Sequence, residues 1–177
     1  MATSLTTRLV TPRLVLRDFR RDDADDLHTM DGDDRVMRYI GTGLPGRTRE
    51  QTAQALERMV AQAAARPGYG LLHASRRENG NFVGGCGLFP LPDGDDIEIA
   101  YRLPHSCWGH GYATEMAQAV LDYGFATLGL KRIVGLTWPE NLPSQRVLEK
   151  IGMRDEGRAP HYGRTMRVFA ATRGTAA

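Results

Sequence analysis

Cysteine is scarce in this chain: Cys86 and Cys107 are the only two in 177 residues. Two thiols make no disulfide framework, and reduced thiols are the default reading. Long apolar runs are missing too. No stretch approaches the roughly 18 residues of a membrane span, and "MATSLTTRLVTPRL" lacks an apolar signal-peptide core. The chain is therefore read as cytoplasmic, without a membrane partner. No excess of one charge is present: the net charge is +2, which gives no argument for nucleic acid. No repeat, low-complexity tract or linker divides the sequence. Its length suits a single domain, 1–177, large enough to bury a core.

What is present is an alternation of strand and helix patterns. "RLVLRDF" (13–19) reads as a first strand. The acids of "RDDADDLHTM" mark a helix start, where they favour the positive end of the dipole. "TREQTAQALERMVAQAAA" is a helix with a capping box at Thr48 and Gln51 and an apolar stripe of Leu56, Met59, Val60 and Ala63. Two strands flank "ENGN", whose Asn79-Gly80 suits a hairpin turn. "DIEIAYRL" alternates, with Ile97, Ile99, Tyr101 and Leu103 on one face and Glu98, Ala100 and Arg102 on the other. Tyr112 to Leu128 is helical, "KRIVGLTW" is a strand, and "NLPSQRVLEKIG" is a helix capped by Asn141 and ended by Gly152. "MRDEG" and "MRVFAATR" close the chain as strands. The pattern is that of a mixed α/β sheet domain.

Three glycine-rich stretches are candidate ligand sites. "GTGLPG" (41–46) matches the dinucleotide fingerprint, but "DDRVMRYI" before it reads as a helical turn and an alanine-rich helix follows. That fingerprint needs a strand before it and an acidic residue on a second strand. A nucleotide-dependent oxidoreductase is thereby disfavoured. "GGCG" (84–87) lies inside a strand and reads as a bulge or a close backbone approach. "PHSCWGHG" (104–111) follows a strand and precedes a helix. Gly109 and Gly111 there either leave consecutive backbone N–H groups open to an anion, or merely permit a tight turn.

The segment "PENLPSQRVLEKIGM" places Asn141 and Ser144 at a helix start. Together, "TPRLVLRDFRRDDADDL", "IEIAYRL", "WGHGYATE", "NLPSQRVLEKIGM" and "HYGRTMRVFAATR" resemble, in order, the GNAT superfamily of acetyl-CoA-dependent N-acetyltransferases. The branch they most resemble contains the ribosomal-protein N-terminal acetyltransferases. The resemblance covers nearly the whole chain. It implies an α/β (α+β) fold: one mixed, mostly antiparallel sheet of about seven strands with about four helices, splayed between "DIEIAYRL" and "KRIVGLTW". The pantetheine arm of coenzyme A would lie in that opening. The amides of Trp108, Gly109, His110, Gly111, Tyr112 and Ala113 would hold the pyrophosphate, with Leu103, Asn141 and Ser144 completing the cofactor site. Ser106 departs from the family pattern, which carries Gln or Arg three residues before the first glycine.

Acyl transfer from a thioester to an amine needs a proton acceptor, donors for an oxyanion and a proton for the departing thiolate. A backbone N–H near Leu103 is the oxyanion donor; Pro104 has none. By resemblance Ser144 is the thiolate's proton donor, a task tyrosine performs in many other GNAT enzymes. Glu98 is the candidate base, directly or through water; the alternative is a strand-face carboxylate paired with Arg102. Arg146 and Lys150, one turn apart, face either coenzyme A phosphates or solvent. His105, Cys107 and His110 fit no common zinc spacing, so no metal is expected, and His28, His73 and His161 read as isolated.

The expected activity is therefore acetyl transfer from acetyl-CoA to a primary amine by direct attack in a ternary complex. The alternative is a non-catalytic acyl-CoA-binding module on the same fold. The acceptor is a small molecule or a peptide N-terminus, and the protein a monomer or homodimer. Seven aspartates between Asp22 and Asp34 crowd a stretch without Lys or Arg. If they border the acceptor entrance, they would steer cationic amines in.

Overall fold

The capping box at Thr48 and Gln51 forms as read: the Thr48 hydroxyl accepts from the Gln51 N–H at 3.2 Å, and Gln51 Oε1 accepts from the Thr48 N–H at 2.9 Å. It opens α3 (Arg49–Ala65), whose Leu56 is buried while Met59, Val60 and Ala63 are half-buried. The computed structural model describes residues 7–41, 43 and 45–174; Thr42 and Leu44 of the "GTGLPG" stretch lie outside them. The remaining helices are α1 (Ala24–Asp31), α2 (Asp34–Met37), α4 (Tyr112–Ala126) and α5 (Leu142–Lys150). The strands are β1 (Thr7–Val10), β2 (Leu14–Asp18), β3 (Gly70–Arg76), β4 (Phe82–Pro90), β5 (Ile97–Arg102), β6 (Arg132–Thr137), β7 (Arg154–His161) and β8 (Arg164–Thr172). The class is the one expected, with β1 and the four-residue α2 as the additional elements.

The eight strands form one sheet in the order β1-β2-β3-β4-β5-β6-β8-β7. Every neighbouring pair is antiparallel except β5 and β6, which run parallel and pair only at Ile97↔Ile133 and Glu98↔Val134. Beyond Glu98 the two strands part. β5 remains paired with β4 through Arg102 and β6 with β8 through Thr137, so the opening is a wedge between two continuous half-sheets. Helix α5 packs beside it: Gly135 of β6 faces Leu148, whose Cδ2 would lie 2.6 Å from an added Cβ.

The two larger apolar clusters lie on opposite faces of the sheet. One gathers Met116, Ala117, Val120, Leu121 and Phe125 of α4 with Leu72 and Ala74 of β3. The other gathers Leu27, Met30, Val36 and Leu56 from α1–α3, with Leu71 packed against it. Leu71 and Leu72 are consecutive on a strand and point to opposite faces. Met116, Ala117, Val120, Leu121 and Gly124 lie on the buried face of α4, and Gly124 lets the helix close on Ile133, whose Cδ1 would lie 2.6 Å from a Cβ.

The "GGCG" stretch is both of the things read into it. The β3–β4 register slips between Ala74 and Ser75, opposite Gly84, and a Cβ on Gly87 would sit 2.0 Å from the Gly70 carbonyl. The segment before "GTGLPG" is α2 and the one after it leads to α3, the helical context that disfavours a dinucleotide site. No helix among the described residues is long and apolar enough to cross a membrane.

Candidate active site

The wedge between β5 and β6 widens into a cavity of about 970 Å³. Glu98, Leu103, Trp108, Gly109, Gly111, Tyr112, Ala113, Asn141 and Ser144 all line it. His110 does not: its Nδ1 lies 2.8 Å from the Trp108 carbonyl, and its own carbonyl accepts from Arg13 Nη1 at 3.0 Å.

One end of the cavity is main chain. Gly109 and Gly111 are left-handed, with φ of 80° and 77°, and Gly111 is the N-cap of α4. A Cβ on Gly109 would meet nothing within 4 Å, and one on Gly111 only Arg13 Nη2 at 3.5 Å. The Trp108 amide expected in the cradle is not open, since its N–H donates to the His105 carbonyl at 3.2 Å; the amides of 109–113, at the positive end of a fifteen-residue helix, are the ones where an anion gains from both. The β1–β2 turn braces it: Glu115 in the first turn of α4 accepts from Thr11 Oγ1 at 2.6 Å and from Arg13 Nε at 2.5 Å. Trp108 Nε1 donates to the Leu103 carbonyl at 3.0 Å, tying the loop to the end of β5. Arg146 and Lys150 of α5 also line the cavity and are exposed.

Mid-cavity, Glu98 sits on the last paired rung of the wedge and is 8% exposed. Burial pushes its carboxyl up to about 7, against the opposing pull of a hydrogen bond from Tyr162. Tyr162 Oη donates to Glu98 Oε2 at 2.5 Å. The partner of Glu98 is therefore Tyr162, not Arg102, which pairs instead with Asp31 at 2.9 Å. Tyr162 and Gly163 turn the β7–β8 hairpin with φ of 53° and 73°, the two-residue turn with both centres left-handed. Tyr162 is the one positive-φ non-glycine among the described residues, a conformation that costs a residue with a Cβ roughly 1–2 kcal/mol.

Across the wedge, Ser144 lies in the first turn of α5. Asn141 caps that helix, its Oδ1 accepting from the Ser144 N–H at 3.3 Å. Tyr101 Oη donates to the Ser144 carbonyl at 2.9 Å and lies 3.0 Å from Ser144 Oγ. Burial pushes the Tyr101 hydroxyl well above its ordinary range, so it stays a proton donor at every working pH. Tyr101 and Tyr162 are the site residues that sequence reasoning missed. Tyr101 read as a core position on an alternating strand. A tyrosine before glycine in a two-residue hairpin, where Asn or Asp is usual, was the available signal for Tyr162.

Two other readings need correction. His73 is not isolated: it is buried, and its Nε2 lies 2.8 Å from Asp26 Oδ2. His28 Nδ1 lies 3.1 Å from Thr52 Oγ1. Among the described residues, Asp23, Asp26 and His73 form the only converging group of His, Cys, Asp or Glu side chains. Asp23 already accepts from Arg17 at 2.7 and 2.8 Å and from the Arg20 N–H at 2.7 Å, which spends its lone pairs on a cation. His105, Cys107 and His110 do not converge.

The wedge opened by one parallel pair and the glycine turn at the start of α4 stand in a chain whose residues 13–154 match the sequence model of the acetyltransferase (GNAT) domain. The chain belongs to that family. It is 33% identical to a Bacillus subtilis protein named uncharacterized N-acetyltransferase YnaD, over 84% of each chain. The crystal structure of a GNAT-family acetyltransferase from Bacillus anthracis superposes with a TM-score of 0.79 at 30% identity, covering 93% of this chain and 97% of that one. RimL, a ribosomal L7/L12 α-N-protein acetyltransferase solved with coenzyme A, shares the fold with a TM-score of 0.78 at 16% identity, over 94% of this chain and 98% of its own.

Proposed function

We propose that this protein transfers an acetyl group from acetyl-CoA to a primary amine by direct attack, with both substrates bound. The observation that carries the reading is Glu98: a buried carboxylate on the last rung of the wedge, held by Tyr162, with its carboxyl raised to about 7. A general base works best near the operating pH, and a non-catalytic acyl-CoA-binding module has no use for a buried ionisable group. That observation weighs against the alternative of a non-catalytic acyl-CoA-binding module.

Coenzyme A fits the residues present. The open amides of the 109–113 turn suit its pyrophosphate, and Arg146 and Lys150 stand near enough to line the same cavity. When bound, acetyl-CoA supplies an acyl carbon activated by its thioester. The protein does the rest. Glu98 Oε2 is fixed by Tyr162, and Oε1 has no hydrogen-bond partner among the described residues, so it is the atom that takes the amine's proton, directly or through one water. As the N–C bond forms and the C–S bond breaks, negative charge arrives at sulfur. Ser144 Oγ, at the positive end of α5, hydrogen-bonds that charge and relays a solvent proton to it, regaining its own proton in the same exchange. The Tyr101 phenol, already directed at the Ser144 turn, holds that hydroxyl in place.

Turnover of acetyl-CoA with a panel of amines, read as free thiol, tests the proposal. Thiol release that depends on the amine is expected. Tight acetyl-CoA binding with no release for any amine would establish the binding module instead.

A further inference from the structure

The aspartate-rich stretch does not border the acceptor space as an acidic wall. Asp23 pairs with Arg17, Asp25 with Arg49 and Asp33 with Arg35. Asp26 meets His73, and Asp34 Oδ1 accepts from the Gly46 N–H at 2.7 Å. None of the seven lines the cavity.

Its charged lining is cationic. Glu98 is the one acidic side chain on the cavity wall, against Arg35, Arg47, Arg58 and Arg102 from elements other than α5. Arg35 is neutralised by a two-pronged contact with Asp33. Arg47 and Arg102 share a single fully buried carboxylate, Asp31. Arg58 has no ion pair among the described residues. Three guanidinium groups therefore answer to one counter-charge.

Arg102 is the informative member. Its side chain is 13% exposed. Its partners are Asp31 Oδ1 at 2.9 Å and Met37 Sδ at 3.9 Å, which leaves most of its five N–H donors unspent. No Arg102 nitrogen is both buried and unpartnered, so its spare donors open into the cavity, where an anion would gain more than water does from a guanidinium so little exposed. Arg102 lies on the same strand face as Glu98, four residues on, about 13 Å along β5.

Given the acyl-transfer reading, on which this rests, we infer that the acceptor is a primary amine that also carries an anionic group, a carboxylate or phosphate, several bonds from the amine. The amine meets Glu98, and the anion is held by Arg102 with Arg47 and Arg58 around it. An α-amino acid is too short to reach both. This reverses the preference for cationic amines drawn from the aspartate run.

The test uses three amines of similar length: ε-aminocaproate, its uncharged amide and cadaverine, with acetyl-CoA as donor. The wild type should prefer the carboxylate over the amide by at least about tenfold in kcat/KM, with cadaverine slowest. Arg102→Met, checked for folding by thermal melting, should collapse that ratio towards one. If this variant does not fold, exposed Arg58→Gln should lower the ratio several-fold. Equal use of the three amines, or a ratio untouched by a folded Arg102→Met, overturns the anion site and leaves the acetyltransferase intact. If no amine is acetylated, acyl transfer fails by itself, and calorimetry with glutarate decides the anion site. Binding to wild type but not to the variant supports it, and no binding to wild type refutes it.

Discussion

At the end of the cavity proposed for the donor, most of the wall comes from one continuous stretch, 103–113, with two glycine turns and a helix start. At the end proposed for the acceptor the wall is side chains. Arg102 comes from β5, Arg58 from α3, Arg47 from the segment before it, and Asp31 from α1. On that proposal the first end would act through glycines that lack a Cβ; the second through Arg47 and Arg102, which share one carboxylate. Local backbone tolerates most surrounding changes, whereas a shared counter-charge couples every member. The two ends should therefore break differently.

The largest effect is expected between them. Glu98→Gln should lower kcat/KM by roughly 10²-fold while acetyl-CoA affinity stays unchanged in calorimetry. Wild-type kcat/KM should climb with pH through about 7, where the Glu98 carboxyl titrates. The same substitution has a stability signature. The Glu98 carboxyl is raised from 4.5 to about 7 by burial, so the folded state holds that proton more tightly than the unfolded chain. The associated stability is fully present below pH 4.5 and is lost as pH rises through about 7, a loss on the order of 3 kcal/mol. Glu98→Gln should therefore be more stable than wild type at pH 8 and not at pH 4.5, as read by urea unfolding at both pH values. A kinetically normal variant with the stability signature would leave Glu98 as a buried acid and move the base elsewhere.

Next is the donor end. Gly111→Val should weaken acetyl-CoA by at least about tenfold, or 1.4 kcal/mol. Because Gly111 sits at φ 77°, the variant also carries roughly 1–2 kcal/mol of backbone strain, visible as a lowered Tm. Unchanged affinity in the folded variant would remove the cradle. Preference between anionic and cationic amines should not move, which is the contrast with Arg102.

Tyr162→Phe is expected to be milder. Its hydrogen bond holds the Glu98 carboxyl below where burial alone would put it. Losing the phenol should shift the rise in kcat/KM to higher pH and cost several-fold at pH 7, with the rate recovered above pH 8. A uniform loss at all pH values would assign Tyr162 to the hairpin alone. The smallest effect belongs to Ser144→Ala, since a thiol leaving group with a pKa near cysteine's ~8.5 departs fairly well unaided. A few-fold loss is expected, recovered with an acyl donor whose thiol is more acidic. A loss as large as that of Glu98→Gln would show that thiolate protonation limits the reaction.

The sequence by itself determined the elements and the glycine turn before α4. Caps, alternation and the Asn79-Gly80 turn are local signals, and a glycine cradle is a contiguous feature whose function depends on backbone, so Gly109, Gly111 and the start of α4 were legible in "WGHGYATE". Glu98 and Ser144 were legible as candidates because they stand at fixed offsets within two recognisable segments. Only the tertiary structure decided their partners. Tyr162 is 64 residues from Glu98, Tyr101 is 43 from Ser144, and Arg102 is 71 from Asp31 by number. The aspartate run does not line the cavity, and sequence could not show this for the same reason. A run of aspartates shows its charge in the chain, but not the arginines of other segments that neutralise it. Which charges remain unspent is settled when burial removes water and each ion must find its counter-charge across the fold.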